Sequence, residues 1–474
     1  MSFEYPLQDI DSNIKKWLRL KCKVRPNSTM FNKRPDAIQC YDIRDDHIQL
    51  PLGCWSVLYD EFPNVYKYPR ANIKCSKQLF TLVKNKPGFV YDKEKKYRDQ
   101  DVVFEQGLKH LKKNHTLFLA LATGFGKTSL ANYFACHLKL KFVVICFFDM
   151  VRKQWINEFQ KYSNAYVQDL SSAKKIDKSA DGYIVGTLKS SKMKDIDFSF
   201  IGLVIFDEAH VSTVTALTKS LLYFTPKYLI GLSATPERSD GMNSLFDLYF
   251  GSSKNFLVRK EVKEFQVFKV ETCFKPTIKY ERVRGKMTLK WSLVESSLAE
   301  NNARIEMIYN IIMRHPDKRP IILNKLQESN IMLYDYLVSK GLDVELLIDK
   351  KKEWRQDAHI LVAGVKKAGV GFDDPTRDML IMMISVKDVR QNEGRIRCSN
   401  NIIYDIVDNH RTLENHWNGT SEYTGRYNWY IERGATVSVL TYDGKKFTKG
   451  STRDITDDSQ ASSIPWLLGS NKKR

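Results

Sequence analysis

Leu117-Phe118-Leu119-Ala120-Leu121-Ala122 is an apolar run that passes directly into Thr123-Gly124-Phe125-Gly126-Lys127-Thr128, and this stretch decides the fold. The apolar run predicts a buried strand, and the residues after it predict a phosphate loop at the end of that strand. Gly124 and Gly126 lack a Cβ atom, so backbone N–H groups can close around phosphate oxygens. A helix from about Ser129 to Leu138 would then direct its N-terminal dipole at the anion.

The side chains that follow this loop are suited to bind a nucleotide. Lys127 would reach the β and γ phosphates of ATP, and the Thr128 hydroxyl would hold Mg²⁺. Leu121 stands where the strict G-x-x-x-x-G-K-T pattern has its first glycine, and a G-K-T triplet in a loop can arise by chance. On its own, therefore, the loop indicates nucleotide binding without excluding coincidence.

A second apolar run, Ile201 to Phe206, ends in the acidic motif Asp207-Glu208-Ala209-His210. A carboxylate at the carboxyl end of a parallel strand can lie beside the phosphate loop, so Asp207 is suited to bind Mg²⁺. Glu208 can orient and deprotonate the attacking water. Taken alone, an acidic pair is equally typical of a helix N-terminus that is stabilised by negative charge. The two motifs in this order, each behind its own strand, predict ATP binding and hydrolysis.

The composition sets limits on the class of protein. A chain of 474 residues is long enough for about three domains, and 43% hydrophobic with 27% charged residues is typical of a globular protein. No apolar run reaches about 18 residues, and the N-terminus has no basic-then-apolar signal, so we expect a soluble, intracellular protein without a membrane partner. The scattered cysteines predict reduced, mostly buried thiols rather than a zinc site.

The formal charge of +20 is the main indication of a partner. A surplus of lysine and arginine favours polyanions through counterion release. A generally basic, soluble surface is the alternative, and charge alone does not distinguish DNA from RNA.

Strands and helices alternate from Tyr97 onward, which predicts a parallel sheet that is covered on both faces. A second α/β cycle begins near Arg319 without a second G-K-T. The predicted organisation is an N-terminal α+β accessory domain at 1–94, an ATP-binding α/β domain at 95–250, a strand-rich connector at 251–300, a second α/β domain at 301–447, and a poorly ordered tail at 448–474.

Two further motifs carry residues of possible chemical use. Ser233 and Thr235 stand where a strand emerges and could hydrogen-bond the carboxylate network, although an ordinary strand exit before Pro236 is the alternative. Arg395 and Arg397 could neutralise charge on the γ-phosphate across a cleft, a role that raises rates by about 10³ to 10⁵. A solvated helix face is the alternative for these two arginines.

Taken together, these motifs resemble the superfamily 2 DNA and RNA helicases, specifically the DEAH-containing group. That group includes the helicase subunit of the general transcription and repair factor and the transcript-release helicases of poxviruses and related large DNA viruses. The resemblance covers roughly residues 97 to 435. Its most specific parts are the acidic motif, the string from Leu232 to Gly241, and Gln391 to Arg397. It implies an α/β fold with two RecA-like domains.

The resemblance also implies roles for individual residues. Adenine recognition falls to Arg98 and Gln100, and contact with the nucleic-acid backbone falls to Gln154, Trp155 and Thr187. The coupling motif comprises Ser233, Ala234 and Thr235, the nucleotide and strand sensor of the second lobe contains Asp373, and the final motif with its arginine fingers contains Gln391, Arg395 and Arg397. Gly364 and Val370 depart from the pattern of many relatives in the sensor motif, which puts its hydrogen bonds to nucleic acid in question. Cys398 stands where many relatives place the second arginine, so Arg395 is the preferred finger and Arg397 the alternative.

The resulting hypothesis is an ATP- and Mg²⁺-dependent helicase or translocase that acts on nucleic acid, with DNA preferred over RNA. We expect a role in viral-type transcription or genome processing, with RNA polymerase or transcription factors as partners. The expected location is the cytoplasm or nucleus of an infected cell, or the virion. The alternatives are a translocase that releases transcripts or proteins without extensive unwinding, a non-catalytic ATPase-like scaffold, and a switch ATPase that acts on proteins. A scaffold has no need to keep Lys127, Asp207 and Glu208 together.

Overall fold

The chain forms two compact units, Met1–Lys260 and Glu261–Arg474. The computed structural model describes residues 1–25, 36–62, 99–122, 124–146, 149–170, 176–186, 198–209, 222, 224–234, 242–253, 256–259, 264–283, 286–299, 301–348, 354–365, 368, 374, 376–386, 389–394, 396, 400–420 and 423–449. Among these residues, none of the helices combines the length and the hydropathy that a membrane crossing requires.

The first unit contains twelve strands and six α-helices in its described residues. The strands are β1 (Ser2–Pro6), β2 (Lys23–Val24), β3 (Ile38–Gln39), β4 (Asp42–Ile43), β5 (His47–Pro51), β6 (Thr116–Leu121), β7 (Phe142–Cys146), β8 (Val167–Asp169), β9 (Gly182–Gly186), β10 (Leu203–Phe206), β11 (Tyr228–Ser233) and β12 (Leu257–Arg259). The helices are α1 (Ser12–Lys21), α2 (Cys54–Glu61), α3 (Gln100–Asn114), α4 (Lys127–Leu138), α5 (Asp149–Tyr162) and α6 (Ser244–Phe250), and a 3₁₀ turn covers Leu7–Asp9.

The main sheet of the first unit is parallel throughout, in the order β12-β6-β11-β10-β7-β9-β8. Every residue of β6 and of β10 is buried, because both strands lie inside a sheet that is covered on both faces. The carboxyl ends of parallel strands meet at one edge of a sheet. β11 lies between β6 and β10, so the ends of these three strands are neighbours.

The N-terminal residues pack into this first unit. β1, β5 and β4 form a three-stranded antiparallel sheet, and the apolar side chains of β1 and β5 share one core with those of β10 and α6. The Ser2 N–H donates to the carbonyl of Phe224 at 2.8 Å. A Cβ added to Gly53 would lie 2.4 Å from the backbone nitrogen of Gly251, so the two chain segments are in close contact. The described part of the expected accessory domain thus has α+β content and no core of its own.

The second unit contains twelve further strands and six further α-helices in its described residues. The strands are β13 (Phe265–Thr272), β14 (Tyr280–Val283), β15 (Lys286–Leu289), β16 (Pro320–Asn324), β17 (Val344–Leu347), β18 (Ile360–Gly364), β19 (Met379–Met382), β20 (Ile402–Val407), β21 (Gly419–Thr420), β22 (Tyr423–Thr424), β23 (Ala435–Tyr442) and β24 (Phe447–Lys449). The helices are α7 (Trp291–Ala299), α8 (Asn302–Met313), α9 (Gln327–Ser339), α10 (Arg390–Glu393), α11 (Arg411–Asn418) and α12 (Arg426–Glu432).

Eight of these strands form a second large sheet, in the order β17-β18-β16-β19-β20-β13-β23-β24. All pairings are parallel except that of β23 with β24. Successive residues of the strands point to opposite faces, so Ile322 and Ile321 belong to two different apolar cores. The predicted α/β fold class with two parallel-sheet domains is confirmed by these two sheets.

The segment 251–300, expected to be a connector, contributes a strand to each large sheet. β12 pairs with β6 at the edge of the first sheet, whereas β13 lies between β20 and β23 in the second. β24 extends the second unit slightly beyond residue 447, and the rest of the predicted tail lies outside the described residues.

A buried polar network ties α12 to β20 in the second unit. The Arg426 guanidinium donates to both carboxylate oxygens of Asp405, at 2.8 and 2.9 Å, and the Tyr430 hydroxyl donates to Asp405 at 3.0 Å. Arg426 also donates to the Ser385 hydroxyl at 3.0 Å. A two-pronged ion pair with further hydrogen bonds is the arrangement that offsets the cost of removing these charges from water. Loss of either partner would leave a buried charge.

Candidate functional site

The phosphate loop lies where the sequence predicted it, between the end of β6 and the start of α4. Gly124 and Gly126 have backbone φ values of +83° and +95°, in the left-handed region that glycine adopts without steric cost. A Cβ added to Gly126 would lie 2.2 Å from Nε2 of Gln100, so the end of that flexible side chain would have to move, and it is the left-handed backbone conformation that favours glycine here. Thr123, which belongs to the predicted loop, lies outside the described residues.

Gln100, the first residue of α3, contacts this loop directly. Its side-chain amide donates to the carbonyl of Phe125 at 2.6 Å. The sequence predicted a role in adenine recognition for Gln100 together with Arg98, which lies outside the described residues. The contact places Gln100 beside the loop, where its hydrogen bond also stabilises the conformation of the loop backbone.

Lys127 and Thr128 occupy the first turn of α4. The Lys127 ammonium donates to the carbonyl of Leu121 at 3.1 Å. Its positive charge therefore lies beside the backbone at the end of β6 and not in open solvent. Thr128 is half-buried beside it. The glycine conformations, the N–H groups of the first helical turn and the ammonium group fit a triphosphate, as expected for an ATP site.

The acidic motif begins immediately after β10. The carboxylate of Asp207 is buried and accepts two hydrogen bonds, from the backbone N–H of Glu208 at 2.9 Å and from the indole Nε1–H of Trp155 at 2.7 Å. Glu208 has a φ of +46°, a left-handed conformation that costs a non-glycine residue about 1–2 kcal/mol. Ala209 is buried behind the pair, and His210 lies outside the described residues.

The pKa of Asp207 is raised to about 6, first by burial of the carboxylate and second by the neighbouring charge of Glu208. The hydrogen bond from Trp155 and the charge of Lys127 act in the opposite direction. The loop lysine and the acidic pair therefore share one electrostatic environment. A divalent cation at this carboxylate would favour the ionised form of Asp207. Because Mg²⁺ prefers oxygen ligands, the Asp207 carboxylate and the Thr128 hydroxyl are the groups suited to bind it.

Ser233 ends β11, between the strand of the phosphate loop and the strand of the acidic motif. Its side chain is buried, and the strand register sets it opposite Ala120 of β6. Ala234, which follows, is half-buried. This position agrees with the predicted coupling motif, whose third member, Thr235, lies outside the described residues. The coupling role stays a prediction.

Trp155 has a position that the sequence did not predict. We expected it to touch a nucleic-acid backbone together with Gln154 and Thr187, but its side chain is fully buried and reaches Asp207 instead. Gln154 is half-buried on α5, and Thr187 lies outside the described residues. The sequence did show a tryptophan on the helix that follows β7. Because β7 and β10 are paired in parallel, that helix follows the same sheet edge at which β10 ends and Asp207 lies.

Replacing Trp155 by phenylalanine is expected to lower kcat/KM for ATP by about tenfold, because a carboxylate loses a charge-assisted hydrogen bond. Since Asp207 also loses its fixed orientation, the Mg²⁺ concentration that gives half-maximal hydrolysis should rise. The measurement is a Mg²⁺ titration of the ATPase rate. Trp17→Phe, at a buried tryptophan on α1, is the control and should leave the titration unchanged. An unchanged Mg²⁺ dependence in Trp155→Phe would contradict the orienting role.

The predicted motif of the second unit is only partly within the described residues. Gln391 lies on the short helix α10, and Arg395, Arg397 and Asp373 lie outside the described part of the chain. The end of α10 is held by a buried ion pair in which Arg433 donates to both carboxylate oxygens of Glu393 at 3.3 Å. The roles of the two arginines and of Asp373 stay predictions.

The parallel α/β fold, the phosphate loop and the acidic pair are together typical of a nucleotide-binding protein that hydrolyses ATP. Residues 93–238 match the family described as type III restriction enzyme, res subunit.

Relatives in large DNA viruses extend this similarity over most of the chain. It is 27% identical to the putative helicase 161L of Invertebrate iridescent virus 6, over 92% of this chain and 99% of that protein. It is 26% identical to the putative helicase 055L of Frog virus 3, over 76% of this chain and 83% of that protein. It is 27% identical to the transcript termination protein A18 of Yaba-like disease virus, over 79% of this chain and 83% of that protein. The predicted resemblance to viral helicases is confirmed.

Proposed function

We propose that this chain is an ATP-dependent helicase or translocase of the DEAH type that moves along nucleic acid, with DNA preferred over RNA, during viral transcription. The observation that carries the proposal is the site of the first unit. A phosphate loop with its lysine and an acidic pair stand at the ends of β6 and β10, the two parallel strands on either side of β11, within the region that matches helicase relatives.

The residues of the first unit have separable tasks in this proposal. The loop N–H groups and the start of α4 bind the triphosphate, and Lys127 places a positive charge against it. Thr128 and Asp207 hold Mg²⁺, which when bound neutralises charge on the phosphate oxygens. Glu208 orients the attacking water and accepts its proton. Arg395, with Arg397 as the alternative, supplies positive charge to the transferred phosphoryl group.

Two observations support nucleic acid and transcription as the setting. The formal charge of +20 favours a polyanionic track. One relative bears the name transcript termination protein, which favours, as a second candidate, a translocase that releases transcripts without extensive unwinding. RNA polymerase or transcription factors are then the partners to test, in the infected cell.

The decisive experiment measures the ATPase rate of the purified chain without nucleic acid and with single-stranded DNA, duplex DNA or RNA, at low and physiological salt. We expect DNA to stimulate hydrolysis, with a half-saturating concentration that rises steeply with salt because phosphate contacts release counterions. Strand displacement and transcript release, assayed side by side, separate the two candidates. A substantial rate that no polymer changes would instead indicate a switch ATPase that acts on proteins.

A further inference from the structure

The second unit carries a β-hairpin that stands apart from its large sheet. β14 and β15 pair in antiparallel register, Tyr280 with Leu289 and Arg282 with Met287, and together they form a separate two-stranded sheet. An isolated two-stranded hairpin is only marginally stable in water, so it needs support from elsewhere in the protein or from a ligand.

One face of the hairpin presents apolar and aromatic side chains to solvent. Residues that lie directly opposite each other on paired strands share a face, so Tyr280, Arg282, Met287 and Leu289 lie on the same side. Tyr280 is 51% exposed and Met287 is 61% exposed, and Arg282 is exposed between them. Tyrosine and methionine at diagonal positions are close enough to act as one contact surface.

The charge of the hairpin and its flanks is strongly positive. Between residues 275 and 290, Glu281 is the only acidic residue, whereas the basic residues are Lys275, Lys279, Arg282, Arg284, Lys286 and Lys290. Of these, Lys275, Lys279 and Arg282 are exposed in the described part of the chain, and an exposed cluster of this charge fits a polyanion. Cations interleaved with an exposed aromatic ring match single-stranded nucleic acid, whose phosphates bind the cations and whose bases stack on the ring.

The base of the hairpin is fixed to the body of the second unit. The N–H of Lys290 donates to the carbonyl of Lys279 at 2.8 Å and closes the base. The next residue, Trp291, stacks on the imidazole of His416 at a centroid distance of 5.3 Å and an angle of 15°. His416 is hydrogen-bonded to Ser385 at 3.0 Å, and Ser385 accepts from Arg426 in the buried network. The base of the hairpin is therefore held by a hydrogen bond and by ring stacking, and its contact face is exposed.

We propose that this hairpin is a nucleic-acid contact of the second unit, in which the ring of Tyr280 stacks on an unpaired base while Lys275, Lys279 and Arg282 bind phosphates. The inference rests on the proposed function and adds a site to it. Because the base of the hairpin joins the buried network of Arg426 and Asp405, movement of the second unit would carry the stacked base with it.

The test compares two single strands that differ only in their bases, a DNA oligonucleotide and an abasic oligonucleotide of equal length. Binding is measured by fluorescence anisotropy for the wild-type chain, Tyr280→Ala and Tyr280→Phe. We expect Tyr280→Ala to weaken binding of the base-containing strand by about tenfold, and to leave binding of the abasic strand within about twofold of wild type. Tyr280→Phe keeps the aromatic ring and should bind both strands as the wild type does.

Tyr59→Ala serves as the control, because Tyr59 is also 51% exposed and lies on α2 of the first unit. It should change neither affinity. Equal weakening of both strands by Tyr280→Ala, or no weakening of either, would overturn the hairpin contact. The ATPase rate of the wild-type chain separates this outcome from failure of the proposed function. If nucleic acid stimulates hydrolysis and Tyr280→Ala still has no effect on binding, only the hairpin contact is contradicted.

Discussion

Replacing Lys127 by alanine is expected to reduce ATP hydrolysis by about 10²-fold or more. The Lys127 ammonium lies over the phosphate loop, 3.1 Å from the carbonyl of Leu121. Its removal takes away a positive charge that would face the triphosphate in a partly buried site, where charges interact more strongly than in water. The measurement is a steady-state ATPase assay together with direct binding of a fluorescent ATP analogue.

Lys112→Ala is a suitable control for Lys127→Ala. Lys112 is exposed on α3, so its loss removes the same formal charge without touching the loop. Both variants should unfold at temperatures close to that of the wild type, since most exposed or partly exposed lysines add little to stability. Hydrolysis by Lys127→Ala at the rate of the control would exclude the loop as the ATP site.

Glu208→Gln is expected to keep ATP binding and to lose turnover by about 10²- to 10⁴-fold, the usual contribution of a general base. Glutamine retains the size of glutamate and can still orient a water, but it cannot accept its proton. The substitution also removes the charge that raises the pKa of Asp207, so metal-dependent binding of ATP should not weaken. Binding and hydrolysis therefore separate in this variant, whereas they fall together in Lys127→Ala.

Glu105→Gln is the control, because it removes one negative charge from the first unit at an exposed glutamate on α3. It should hydrolyse ATP at the wild-type rate. Undiminished hydrolysis by Glu208→Gln would contradict the assignment of Glu208 as the base and would mean that another group accepts the proton.

The sequence predicted the site best where burial is uniform. β10 is apolar at every position, and β6 at every position after Thr116, because both faces of the sheet are covered, and such runs can be recognised without knowledge of the fold. The motifs that follow them are fixed in sequence relative to their strands. The order of the strands at one sheet edge then brings Lys127 and Asp207 into one environment, as the parallel alternation implied.

The contacts that the sequence did not predict join segments distant along the chain. The hydrogen bond from Trp155 to Asp207 links residues on α5 and after β10, and that from Gln100 to Phe125 links α3 to the loop. Neither leaves a periodic pattern, since each depends on how two elements pack. The placement of β13 in the second sheet was missed for a related reason, because the segment around it has mixed composition and shows no alternation of strand and helix.

The packing of the N-terminal residues also bears on how such a protein can change during evolution. β1 and β5 complete the same apolar core as α6, and the backbone of Ser2 is bonded to that of Phe224. A recombination event that exchanged residues 1–62 for another module would strip side chains from the core of the ATP-hydrolysing unit. We therefore expect the N-terminal residues and the ATP-hydrolysing unit to diverge by compensating substitutions on both sides of that core. The two segments should also be inherited together.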